Sequence, residues 1–285
     1  MLWQHDSMNR MSYWLPAAAL VAVIIAAALY WWPREPRPQL PTGEVPQASV
    51  TAPAPPSVAA APSEPAIKHP LEAASEPLPA SGRPDDAVTA ALNELLGSKA
   101  VLTWLQSDGF TRRAVTTVDN LGRGQAAARL WPVNPAPGRF SVSGQGEAKV
   151  IDPANAKRYA PFVQFVESVD APRAMATYKK LYPTLQKSYE ELGFPGRYFN
   201  DRLVEVIDQL LATPEPTGPL AVHLTEVKGP LTSERPWVRY EFSKPEYEAL
   251  SAGQKMLLRM GPDNERRLKA KLREFRSLAA SGAGR

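Results

Sequence analysis

Cysteine is absent from this chain, and its 285 residues include only three histidines. The first absence removes disulfide frameworks, thiolate metal and iron–sulfur sites, thiol nucleophiles and c-type haem attachment. It leaves the compartment open, because a cysteine-free chain is at home on either side of a membrane. The second leaves little for metal or general-base chemistry. His5 precedes a long apolar run, His69 lies in proline-rich sequence, and His223 stands alone in an alternating stretch. No two are spaced as ligands of one metal ion, so H-E-x-x-H and related sites are excluded. The chain also lacks a G-x-S-x-G elbow, an S-x-x-K nucleophile, a P-loop and a G-x-G-x-x-G fingerprint. GRG at 122–124 and GQG at 144–146 are isolated glycine pairs that predict turns. No cofactor and no resident metal are implied.

Proline, by contrast, is in excess. There are thirty, against an average usage of about 5%, and fourteen of them lie between Pro33 and Pro84. That stretch is alanine-, serine- and glutamate-rich, as in TAPAPPSVAAAPSEP, with no periodic apolar face. It predicts a disordered, polyproline-prone linker over 33–84. At about 3.1 Å per residue such a stalk reaches on the order of 160 Å when extended.

On the N-terminal side, residues 12–32 open at Ser12, close at Trp32 and carry no charge: SYWLPAAALVAVIIAAALYWW. The length matches the roughly 20 residues a helix needs to cross a bilayer core. Tyr13 and Trp14 at one edge, with Tyr30, Trp31 and Trp32 at the other, form two aromatic belts. The run predicts a single transmembrane anchor rather than a cleaved signal peptide, although Ala26-Ala27-Ala28 resembles a cleavage site. The flanking Arg10, Arg34 and Arg37 do not fix orientation by a positive-inside count. A short leader, a long spacer and the missing cysteines point to an exported domain. The expected organisation is a tail at 1–11, the anchor at 12–32, the linker at 33–84, a folded domain at 85–280 and a tail at 281–285.

Past the linker, apolar residues recur at helical spacing over enough chain for one core. DDAVTAALNELLG predicts a helix capped by Asp85 or Asp86, and FTRRAVTTVDNLGRG a second. IDPANAKRYAPFVQFVESV predicts a third, capped by Asp152 with Pro153 in its first position. Asp170 caps PRAMATYKKLYPTLQKSYEELG, which places Met175, Tyr178, Tyr182, Leu185, Tyr189 and Leu192 on one face. Pro183 predicts a kink or a break there. YFNDRLVEVIDQLLATP turns Phe199, Leu203, Val206, Ile207 and Leu210 inward. PLAVHLTEV (219–227) and RPWVRYEF (235–242) predict a β-hairpin, with a third strand near 138–144. Ser243 and Glu246 form a capping box for PEYEALSAGQKMLLRM. A final helix, PDNERRLKAKLREFRSLAA, carries Leu268, Leu272, Phe275 and Ala279 on one stripe. The fold class is predominantly α with a small β-hairpin element.

Asp201, Glu205 and Asp208 fall at i, i+4 and i+7, a solvated helix face rather than two acids across a groove. Charge is more informative. Between Lys255 and Arg276 lie eight cations and only Asp263, Glu265 and Glu274. Arg259, Arg266, Arg267, Lys269, Lys271, Arg273 and Arg276 form a basic patch for an acidic envelope polymer or an envelope protein, set against a plain surface helix with cations toward its C-terminal end. Nucleic acid is not expected, because no recognised module accompanies the patch.

LLGSKAVLTWL, RRAVTTVDNLGRG, NAKRYAPFV, LYPTLQKSYEELGFPGRYFNDRLVEVIDQLLATP and LSAGQKMLLRMGPDNERRLKAKLREFR together resemble the bacterial family grouped as a domain of unknown function, DUF3014. The resemblance runs from about Asn93 to Arg276, and YEFSKPEYEALS stands where a tyrosine-rich run is expected. It implies an N-terminal membrane helix and no assigned reaction. The polar positions within its strings are Arg112, Arg113, Asp119, Asn120, Asn155, Arg158, Tyr159, Asn200, Asp201 and Arg202. The expected function is a non-enzymatic binding or scaffolding protein, single-pass in the bacterial inner membrane with a periplasmic domain. The alternatives are a carboxylate-dependent enzyme acting on cell-wall glycan or peptide, and a regulator of another membrane protein working through Ala17-Ala18-Ala19 and Ala26-Ala27-Ala28 of the anchor.

Overall fold

The computed structural model describes residues 66–71, 74, 84–146, 148–225 and 236–281. The N-terminal tail, the anchor at 12–32, most of the linker and the end of the C-terminal tail lie outside the described residues. Among the described residues no helix is long and apolar enough to cross a membrane.

The domain is mostly helical, as its periodicity predicts. In chain order it runs α1 (Pro84–Leu96), α2 (Ser98–Trp104), α3 (Phe110–Leu121), a 3-10 turn (Ala128–Leu130), β1 (Val142–Ser143), β2 (Val150–Ile151), α4 (Asn155–Ser168), α5 (Ala171–Glu191) and α6 (Phe199–Leu211). There follow β3 (Val222–Leu224), a 3-10 turn (Pro236–Val238), β4 (Tyr240–Phe242), α7 (Pro245–Glu248), α8 (Ala252–Met260) and α9 (Pro262–Ala280).

Two apolar clusters hold the helices. Val88, Leu92, Val101, Val115, Leu181, Leu185 and Phe199 unite α1, α2, α3 and α5 with the start of α6. Val163, Val206, Leu210, Leu257, Met260 and Leu268 unite α4, α6, α8 and α9. α6 gives buried residues to both, while α3 gives Val115 to the first and packs Val118 and Leu121 against the second, so the two helices form the spine of the domain. Gly253 lets α8 approach them closely: a Cβ there would lie 2.5 Å from Leu210 Cδ2 and 3.1 Å from the Leu121 carbonyl.

Several local expectations need correction. Asp85 and Asp86 sit in the first turn of α1, where carboxylates favour the amide end, rather than at its cap. Asp152 Oδ1 accepts from the Ala154 amide (2.7 Å) and the Asp152 carbonyl from Asn155 N (3.0 Å). That turn delays α4 to Asn155. Asp170 does cap α5, accepting from Arg173 N. Pro183 does not split α5, which is continuous from Ala171 to Glu191. An interior proline costs about 3 kcal/mol, whereas burying Met175, Leu181 and Leu185 contributes roughly 5 to 9 kcal/mol. Packing wins.

The β3–β4 pair forms with His223 opposite Glu241, as the alternation predicts. The third strand expected near 138–144 is β1, at Val142–Ser143, and it lies outside the β3–β4 pair. β1 instead pairs with β2, and a single Val150–Ala221 bridge links the two ribbons. Their turn requires glycine: at Gly144 φ is 93°, and a Cβ would lie 2.2 Å from the Ala148 carbonyl. The segment expected as one helix after Ser243 is two. Lys244, not Ser243, stands before α7 without a side-chain cap. The capping box belongs to Ser251 and Gln254 at the start of α8.

Candidate functional site: a groove along α6

Two concavities lie against α6. The smaller, about 320 Å³, is lined by carbon from α3, α5, α6 and α9, including Val118, Leu203, Ile207, Leu272 and Phe275. Tyr178 supplies its one polar side chain, and the phenol donates to Asn200 Oδ1 (3.2 Å). It offers no polar handle. The larger, about 810 Å³, is lined by Asp119, Arg123, Tyr189, Phe194, Arg197, Tyr198, Asp201, Arg202 and Glu205, with residues 66–69 along one side. Polar recognition requires the second.

Residues 66–71 cross the start of α6 as a strap that bends at Lys68 and His69, although their composition places them inside the linker. Both oxygens of one carboxylate hold it: Lys68 N donates to Asp201 Oδ2 (3.0 Å) and His69 N to Asp201 Oδ1 (2.7 Å). Asn200 Nδ2 donates to the His69 carbonyl (2.8 Å), and Leu71 N donates to the Tyr198 hydroxyl (3.1 Å). Asn200 has no exposed surface and also donates to the Ala279 carbonyl of α9 (3.0 Å). These residues occupy the first turn of α6, where the helix N-terminus favours a carboxylate.

The floor beside the strap is a charge network. Asp119 accepts from Arg123 Nε (2.8 Å) and Arg202 Nε (3.0 Å), while Arg202 Nη2 donates to the Asp119 carbonyl (3.0 Å). Burial works against the Arg202 charge, but the Glu205 and Asp119 carboxylates outweigh it and hold the guanidinium above its ordinary value. Burial, reinforced by the Tyr198 phenol, raises Tyr182 well above the usual tyrosine range, so it stays a neutral donor to Gln186 Oε1 (3.0 Å). Tyr189 stacks on Phe194 at 4.6 Å, with the Arg123 guanidinium 5.8 Å from the Phe194 ring.

The other sequence-derived positions serve as fasteners. Arg113 donates to the carbonyls of Asp108, before α3, and Arg129, after it, tying the two flanking loops to the helix. Asn155 exchanges hydrogen bonds with Ser141, and Arg158 holds the Pro137 and Gly138 carbonyls. Arg112 is exposed, and Asn120 and Tyr159 are half-buried. Of the three acids on α6, Asp201 holds the strap, Glu205 pairs with Arg202, and Asp208 pairs with Arg276 of α9.

The basic residues of α8 and α9 are spread over local pairs. Arg259 donates to the Tyr240 carbonyl and lies over the Phe242 ring, its guanidinium lowered by burial. Arg266 pairs with Asp263, Arg267 with Glu167, Lys271 with Glu274 and Arg276 with Asp208. Lys269 is buried between Glu215 and Glu265, each 2.9 Å from its Nζ. Arg273 is exposed. The sequence did not single out Arg123, Phe194 or the strap, and it marked Tyr189 only as part of the apolar face of its helix; the signal for the groove was the run of aromatics and glycines in ELGFPGRYF.

No curated protein and no solved structure matches the chain. A family match begins at α3 and ends within α9, and so takes in every α6 residue of the groove but not the strap. That family is described as a protein of unknown function, DUF3014; it matches residues 110–276, more than half of the sequence, and the chain belongs to it.

Proposed function

We propose that the chain is a non-enzymatic binding or scaffolding module of a bacterial cell envelope. It is held in the inner membrane by one helix at 12–32 and carried into the periplasm on a proline-rich stalk. The observation that carries the binding reading is the α6 groove, whose first-turn polar side chains hold a polypeptide segment by its backbone. The uncharged run with its two aromatic belts supports the anchor. Because most of the α8 and α9 cations already face carboxylates, an envelope protein suits the domain better than an anionic polymer.

Alkaline phosphatase fused after Arg285 tests the topology; activity in intact cells is expected, and an active cytoplasmic reporter at that position overturns it. A photo-crosslinker placed at the exposed Arg197 tests the binding. It is expected to trap one envelope protein in membranes, lost when Phe194→Ala and Arg123→Ala remove the floor. If the same adduct forms without that floor, the groove is not the binding surface.

A further inference from the structure

Resting on the binding-module reading, we propose that the α6 groove docks a segment of a partner protein, read through its main chain, and that the strap is a placeholder filling one end of it.

Every strap hydrogen bond to the first turn of α6 uses the strap's backbone: the amides of Lys68, His69 and Leu71, and the carbonyl of His69. Its side chains divide: Ile67 is 55% exposed and Lys68 is exposed as well, while His69 and Leu71 are half-buried. The site therefore asks an occupant for two consecutive free amides, a carbonyl and a third amide two residues further on. Pro70, which has no N–H, sits at the one position between them where none is used. A clamp of this kind accepts many sequences, as main-chain recognition does elsewhere.

The strap also fits incompletely. Among the described residues His69 Nδ1 is enclosed without a hydrogen-bond partner, a penalty that a better-matched occupant avoids. The groove continues beside the strap past Tyr189, Phe194 and Arg197. A second copy's strap would leave the same atom unmet and the same volume unfilled, which is why a different polypeptide suits the site. Exchange is cheap, since none of the buried core residues comes from 66–71. The strap's tether gives it a local advantage that an incoming segment must overcome by affinity.

The probe is a fluorescent peptide of residues 64–72, added to the full-length protein in detergent with residues 66–71 replaced by Gly-Ser. Saturable one-to-one binding is expected, at least tenfold tighter than to the unaltered chain and at least tenfold weaker after Asp201→Asn. N-methylation of the Lys68 and His69 amides should abolish it, while alanine at Ile67 and Leu71 should change it less than fivefold. Absence of binding to a variant that keeps its cooperative melt overturns the proposal, as does sensitivity to the alanines but not to N-methylation. In the unaltered chain, excess peptide should speed tryptic cleavage after Lys68 several-fold; no change overturns displacement. A concentration-dependent dimer lost on Gly-Ser replacement would assign the groove to self-exchange and overturn the partner. These readouts need no membrane, so their failure leaves the tethered-module reading to the crosslinking and topology tests.

Discussion

Asn200 joins three parts of the chain: its amide donates to the His69 and Ala279 carbonyls, and its Oδ1 accepts from Tyr178. With no exposed surface, its loss strands buried polar groups that water cannot reach. Asn200→Ala is expected to destabilise by about 2 to 4 kcal/mol in urea titration; a loss under 1 kcal/mol would mean the ties carry no weight. Glu248 makes a different prediction. Burial pushes its carboxyl up, but the Lys255 ammonium (2.7 Å) and the Phe242 amide (2.9 Å) outweigh burial and hold it below its usual value. Its stabilisation is thus complete above the unfolded carboxyl pKa of about 4.3 and fades as pH falls through the lower folded value. Glu248→Gln should be less stable than the parent at pH 7, with the gap closing toward pH 3 in thermal melts.

Among the helices, α6 organises the rest, sharing one core with α1–α3 and α5 and another with α4, α8 and α9. Of its expected inward set, Phe199, Val206, Ile207 and Leu210 are buried because one helix obeys one period, whereas Leu203 is half-buried and the buried Val204 was not expected. What spacing could not supply was anything decided by non-local partners. β2 exists because Val150 and Ile151 find Ser143 and Val142 across a glycine turn, and two residues carry no pattern of their own. α2 is one short helix beyond Gly97, with Val101 its one buried residue. The site divides the same way: Asp119, Asn200, Asp201 and Arg202 stood out as polar positions, yet their shared groove depends on chain separated by more than 130 residues. The cap of α8 was misplaced because S-x-x-E at Ser243 and S-x-x-Q at Ser251 are both legitimate boxes. Ser251→Ala should cost about 1 kcal/mol and Ser243→Ala close to nothing. Equal costs by differential scanning calorimetry would move the cap back.

At the scale of the molecule, the strap sets where the proposed tether would grip the domain. Without it that tether would join at Pro84, the first residue of α1. With it, the attachment is Asp201 and Asn200, at the head of a helix that binds the two cores together. Tension on the N-terminal side therefore loads α6 and, through the Asn200 tie to Ala279, α9. The Asp201 and Asn200 bonds act as a fuse. Once they part, the contour length of residues 66–83 would add up to roughly 60 Å to the proposed tether before α1 feels any pull. A single-molecule stretching trace should show that short early step ahead of domain unfolding, and Asp201→Asn should erase it. The strap thus makes the groove a load gauge: an occupant that displaces it also pays out the line.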